Sequence, residues 1–229
     1  RHLSGDYIHE FPLTTPSKSI MNTLARAVLL LYRFDAEPDE ISPEHEIDVA
    51  MSMIARLPRI AALAHMARVA QREGRLPQIP QPSPDLSTAE SVLQVLRGGD
   101  DFTHDEAMLL DVMMMLHAEH GGGNNSTFTV RVTSSSGTDT YSSIAAGIGS
   151  LKGPLHGGAN LAVVDQFEHL KENIRDWTSK EEIDSYLIRM LRKEVYDKCG
   201  LIYGIGHAVY TISDPRTVLL REMARDLAK

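Results

Sequence analysis

One cysteine, Cys199, and one tryptophan are all that 229 residues hold of either type. A lone thiol forms no internal disulfide, so the fold rests on packing, as suits a reducing, cytoplasmic setting. No supporting charge pattern surrounds Cys199, and it is expected as a buried thiol at a helix end rather than a nucleophile. Long apolar runs are also missing. The stretch Met108 to Leu116 is broken by Asp111 and is too short to cross a bilayer, which argues against a membrane partner. Basic residues are in deficit, with 23 Lys and Arg against 31 Asp and Glu and a net charge of -8. No basic stripe offsets that balance, which argues against nucleic acid as a partner. Any anionic substrate must meet a locally positive site. The phosphate-binding P-loop and the GxSxG elbow are absent, and Gly204-x-Gly206 lacks the strand and third glycine of a dinucleotide fingerprint. Nucleotide-binding and serine-hydrolase classes fall away.

What is present is a succession of helical signals, and the fold class is all-α. Ser17 can cap a helix bearing Ile20, Leu24, Val28 and Leu31 on one face, ending near Phe34. Ser42 followed by Pro43 opens a second helix through Ile47, Ala50, Met51, Ile54 and Leu57, which Pro58 should kink before the pattern resumes through Ile60, Leu63 and Val69 to a stop at Gly74. Prolines at 77, 80, 82 and 84 keep the next segment extended. Ser87 to Leu96 is a short helix. Thr103 and Glu106 form a capping box for an almost wholly apolar helix, expected inside a large core or against a second subunit. Ser126 to Ser136 is β-branched but has no partner strand, and is read as helical. Thr140 to Leu151 is made of small apolar residues suited to tight helix contacts. Leu161, Val164, Phe167 and Ile174 mark a further helix, Thr178 and Glu181 cap another that ends at Cys199-Gly200, and Asp214-Pro215 starts the last. The sequence begins at Arg1 and ends at Lys229 within a helical pattern, which suggests an incomplete chain.

Three histidine segments carry the chemistry. His117 to Ser126 reads HAEHGGGNNS, His156 lies in GPLHGGAN, and His207 lies in GIGHAVYTISDPR. Histidine polarises carbonyls near neutral pH, and glycine admits close backbone approach. His117 and His120 share a helix face and could hold a transition metal, although the zinc-peptidase pattern needs i and i+4. A structural role at a helix C-terminus also fits. Arg216 follows His207 by nine residues across one turn, so both could face a small anion, and a guanidinium beside a carbonyl-polarising histidine suits a 2-oxo acid.

These three segments, with the Pro-Glu-His-Glu-Ile-Asp helix and Asp85-Leu-Ser-x-Ala-Glu90, resemble the citrate synthase family in order and spacing over nearly the whole chain. The resemblance implies condensation of acetyl-CoA with oxaloacetate and water to citrate and CoA, an acyltransfer of the tricarboxylic acid cycle. Acetyl-CoA is then a cosubstrate, with no permanently bound cofactor and no metal. By position, His156 donates to the thioester oxygen and His207 polarises the oxaloacetate carbonyl. His120, Asn124, Ser126 and Arg216 bind substrate, and Leu201, Ile202, Tyr203, Gly204, Ile205 and Gly206 contact the adenine end of CoA. His117 is structural support. The resemblance further implies a homodimer in which the Ser42 helix and the helix before His117 pack at the interface. It divides the chain into part of a large helical domain, 1–157, and part of a smaller one, 158–229. The family's general base is an aspartate downstream of Asp214-Pro215-Arg216, so an isolated piece ending at Lys229 is expected to be inactive. A 2-methylcitrate synthase using propionyl-CoA and a non-catalytic binding or dimerisation module are the alternatives.

Overall fold

The computed structural model describes residues 7, 17–80, 83–118, 121–206 and 211–228, and every regular element among them is helical. Two compact units result: residues 1–151 with 215–229, and residues 152–214.

In the first unit, α1 (Ile20–Leu31) is capped by Ser19, whose hydroxyl accepts the Asn22 N–H at 3.3 Å. Ser17 accepts the Ser19 N–H instead, so the helix starts later than the serine pattern suggests. Val28 and Leu31 are buried as expected, and a single 3-10 turn, Tyr32–Phe34, follows. Helix α2 (Pro43–Glu73) begins at the Ser42-Pro43 signal and ends at Gly74, whose φ of +66° glycine adopts without steric cost. Pro58 lies inside α2 without ending it. Beyond Pro58 the buried face of α2 is the expected one, with Ile60 and Leu63 buried. Before Pro58 it differs: Val49 and Met53 are buried, whereas Ile47, Met51 and Ile54 are 63%, 63% and 67% exposed. Each fully buried side chain of this size contributes about 1.5–3 kcal/mol.

The extended prolines lead to α3 (Thr88–Arg97), opened by a Ser87–Glu90 capping box. Helix α4 (His104–Leu116) has the expected Thr103–Glu106 box. Its only buried residue is Ala107, and Met108 and Met115 are 47% and 61% exposed, so this apolar helix does not enter the core of the described chain. Arg97 donates to both Glu106 oxygens at 2.5 and 3.1 Å. Those bonds, with the Thr103 N–H, hold the Glu106 pKa at about 2. A depressed carboxyl stabilises the fold above its unfolded value near 4.5, and the contribution is lost as pH falls towards 2. The melting temperature of Glu106→Gln should therefore lie below that of the parent at pH 6 and converge with it between pH 4.5 and 2. A gap that stays constant with pH would refute this linkage.

Helix α5 (Asn125–Ser134) confirms the helical reading of the β-branched segment. It packs on α6 (Thr140–Leu151), where a Cβ on Gly147 would sit 2.6 Å from Val130 Cγ2. The small residues of α6 permit that approach. Helix α6 also packs on α1, and Tyr141 donates to Asp35 across 106 residues at 2.6 Å. Burial and this bond together raise the Tyr141 pKa. Helix α9 (Pro215–Leu227) starts at the expected proline and packs on α4.

In the second unit, α7 (Ala159–Asn173) and α8 (Lys180–Leu191) close a small core of Leu170, Ile174, Tyr186 and Met190. The packed face of α7 carries Gln166 and Leu170, while Leu161, Val164 and Phe167 remain exposed. The expected Thr178–Glu181 box is replaced by one residue's shift. Thr178 donates to Asp176 at 2.6 Å, Ser179 caps by accepting the Glu182 N–H at 3.2 Å, and Glu182 accepts from the Arg175 and Asp176 N–H groups. Helix α8 ends at Leu191, well before Cys199, because Lys193, Tyr196 and Lys198 all adopt positive φ. Cys199 is exposed, contrary to the buried thiol expected from sequence.

Candidate functional site

Within the second unit, the GPLHGGAN segment forms a tight turn leading into α7. The His156 and Gly158 N–H groups both bond to the Gly153 carbonyl, at 3.0 and 3.1 Å. The half-buried His156 is thereby held on a closed backbone ring rather than a free loop. A Cβ on Gly158 would lie 2.7 Å from Pro154 Cα and 3.1 Å from the Gly153 oxygen. Only glycine allows this packing.

The segment Leu201 to Gly206 is fixed to the same helix. Gln166, 2% exposed on α7, accepts the Tyr203 N–H at 2.8 Å and donates to the Tyr203 carbonyl at 3.2 Å. One amide therefore satisfies both backbone groups of a loop residue 37 positions away. The Tyr203 hydroxyl donates to Asp197, which pushes the phenol pKa up and the Asp197 carboxyl below its usual range. Gly204 and Gly206 have φ of +85° and +87°, so the loop bends where larger side chains would be strained. Ile205 projects outward, 75% exposed. The family resemblance points to this loop but not to Gln166, whose one sequence signal is an amide among apolar neighbours on α7.

Within the first unit, Asn124 caps α5. Its Oδ1 accepts the Thr127 N–H at 2.8 Å and the Ser126 hydroxyl at 2.7 Å, while Nδ2 donates to the Gly121 carbonyl at 3.1 Å. An amide nitrogen has two protons, so one Nδ2–H is uncommitted among the described residues. Asn124 and Ser126 thus form one hydrogen-bonded pair at a helix N-terminus, where partial positive charge favours anions. His117 ends α4, and its Nδ1 lies 2.6 Å from the Met113 carbonyl. A carbonyl only accepts, so Nδ1 carries the proton and the ring secures the helix end. Arg216 is half-buried in the first turn of α9. His120 and His207 lie outside the described residues. No cluster of three or more His, Cys, Asp or Glu side chains suited to a metal occurs among the described residues. Nor is any described helix long and apolar enough to cross a membrane.

The sequence matches the family described as "Citrate synthase, C-terminal domain" over residues 1–229. A citrate synthase of Deinococcus radiodurans is 36% identical over 208 residues, which cover 91% of this chain and 50% of that protein. The 2-methylcitrate synthase 1 of Corynebacterium glutamicum is 31% identical over 227 residues, 96% of this chain and 53% of that protein. The chain spans about half the length of the curated relatives it matches. In fold it is similar to the Thermoplasma acidophilum citrate synthase solved as a ternary complex with carboxymethyl coenzyme A and oxaloacetate. The TM-score is 0.71 at 23% identity, over 99% of this chain and 54% of that one.

Proposed function

The chain belongs to the citrate synthase family, and on that premise we propose that the full-length protein condenses acetyl-CoA with oxaloacetate and water, releasing citrate and CoA. The observation that carries this reading is the family match across residues 1–229, which takes in all three histidine segments in order. A thioester methyl group is a poor acid, so its enolate needs a hydrogen-bond donor fixed on the carbonyl oxygen while a base removes the proton. His156 has that role, on the closed turn Gly153–Gly158. His207 polarises the oxaloacetate carbonyl. His120, Asn124 through its uncommitted Nδ2–H, and Ser126 hold the same substrate, and Arg216 pairs one of its carboxylates. The loop 201–206 receives the adenine end of CoA. The chain divides into large-domain residues 1–157 and small-domain residues 158–229. A homodimer, with the apolar faces of α2 and α4 at its interface, covers Ile47, Met51, Ile54, Met108 and Met115. The setting is cytoplasmic, and no cofactor is permanently bound.

Oxaloacetate-dependent release of free CoA, followed with a thiol reagent, tests the reaction in the full-length protein. Absence of that release with both substrates present would sink it. The resemblance to a 2-methylcitrate synthase favours one other reading, propionyl-CoA as the preferred thioester. One methylene is worth about 1–3 kcal/mol in a pocket, so the ratio of kcat/KM for the two thioesters decides.

Gln166 is a positioning residue in this scheme. Gln166→Leu strands the Tyr203 N–H and carbonyl, a loss of about 1–1.5 kcal/mol in loop order. KM for acetyl-CoA should rise about 5- to 10-fold, with kcat and the oxaloacetate KM nearly constant. An equal change in both KM values would show that Gln166 supports the fold generally.

A further inference from the structure

Arg59 is 5% exposed, on the α2 turn just after Pro58. Its Nη2 donates to the Pro80 carbonyl at 2.8 Å. Its Nη1 is buried with no hydrogen-bond partner among the described residues. Guanidinium does not deprotonate in proteins, so this is a buried positive charge. Burial draws its pKa down, and no acidic side chain opposes that shift. Glu90, in the adjacent first turn of α3, is committed to the Ser87 N–H at 2.7 Å. Leaving a buried ion unpaired is strongly unfavourable. Among the described residues nothing supplies a counter-charge.

Arg59 lines a pocket of about 20 Å³ with Ala55, Pro58, Ser83, Thr88 and Ser91. About 10–15 Å³ holds one water, so the space admits one particle of near-water size and excludes phosphate or a nucleotide. The remaining wall is in part apolar, from Ala55, Pro58 and Val92, and in part hydroxyl-bearing, from Ser83, Thr88 and Ser91. Ser83 Oγ already accepts the Asp85 N–H, which leaves its proton for another acceptor. Thr88 opens α3, where the helix dipole is positive. We propose that this pocket binds a chloride ion, which neutralises the Arg59 guanidinium and ties α2 to the N-terminus of α3. None of the lining residues belongs to the histidine segments, and the proposal does not depend on the reaction proposed above.

Two measurements on the full-length protein test it. Crystals grown in sodium bromide should show an anomalous peak beside Arg59 Nη1. A water there, or a carboxylate from another segment or copy of the chain, would overturn the proposal. In solution, the melting temperature should rise by about 5 °C when chloride replaces gluconate at constant ionic strength. Arg59→Met removes the charge that the ion serves, so the variant should be at least as stable as the parent in gluconate and gain nothing from chloride. An equal gain in both proteins would equally overturn it. Should the variant fail to fold, the bromide map decides.

Discussion

Replacing His156 with alanine should lower kcat for citrate formation in the full-length protein by about 100- to 1,000-fold, the effect of deleting one preorganised oxyanion donor. The reason lies in when the interaction matters. The thioester oxygen of bound acetyl-CoA is a weak acceptor, and it becomes a strong one only as the enolate forms. A donor held in place before that moment costs no reorganisation during the reaction, and the closed turn from Gly153 to Gly158 supplies such a hold through the bonds to the Gly153 carbonyl. Because the loss falls on the transition state, kcat and kcat/KM should drop together while KM changes little. The melting temperature should also stay near that of the parent, since His156 is only half-buried. Steady-state kinetics with both substrates varied would check this. Turnover within a few-fold of the parent would remove His156 from the mechanism, and a raised KM with unchanged kcat would make it a binding residue only.

The sequence made the helices legible wherever the signal was local. Ser42-Pro43, the Thr103–Glu106 box and Gly74 are each read from a few neighbouring residues, and each stands where expected. Burial was harder to read, because an apolar stripe does not say what covers it. The stripe Ile47, Met51 and Ile54 is as regular as the pair Val49 and Met53, yet before Pro58 the chain buries only the pair, while Ile60 and Leu63 beyond it are buried as expected. The all-apolar α4 illustrates the same point, with one buried residue. The exposure of Cys199 has a different cause: three departures into positive φ follow the end of the helix, and no residue type in Lys193, Tyr196 or Lys198 announces them. At the candidate site, histidines and glycines were visible as motifs. The Gln166 contacts were not, because a bond between residues 37 apart leaves no periodic trace. Asn124 was legible as a polar residue in a motif. Its division of labour, with three bonds inside the cap and one proton uncommitted among the described residues, required geometry.

Gly158→Ala carries the second large effect, and it separates packing from chemistry in the turn that bears His156. Gly158 has φ of -64°, which any residue adopts, so alanine introduces no backbone strain of its own. The obstacle is contact: the new methyl would meet Pro154 Cα at 2.7 Å, the Gly153 oxygen at 3.1 Å and the Pro154 nitrogen at 3.2 Å. All three are backbone atoms, so no side chain can swing aside. Relief requires the turn to open, and the Gly153 carbonyl that anchors His156 moves with it. Overpacking of this kind costs about 1–3 kcal/mol in stability. Misplacing a reacting group by about 1 Å costs on the order of 100-fold in rate. The variant should therefore lose about 100-fold in kcat/KM while still carrying His156. Gly149→Ala supplies the comparison, since nothing lies within 4 Å of its added Cβ and it sits within α6. There alanine should leave activity unchanged and raise stability by up to about 1 kcal/mol. If Gly158→Ala retains full activity at an unchanged melting temperature, the turn is softer than its contacts imply, and the donor role of His156 would need a hold other than the Gly153 ring.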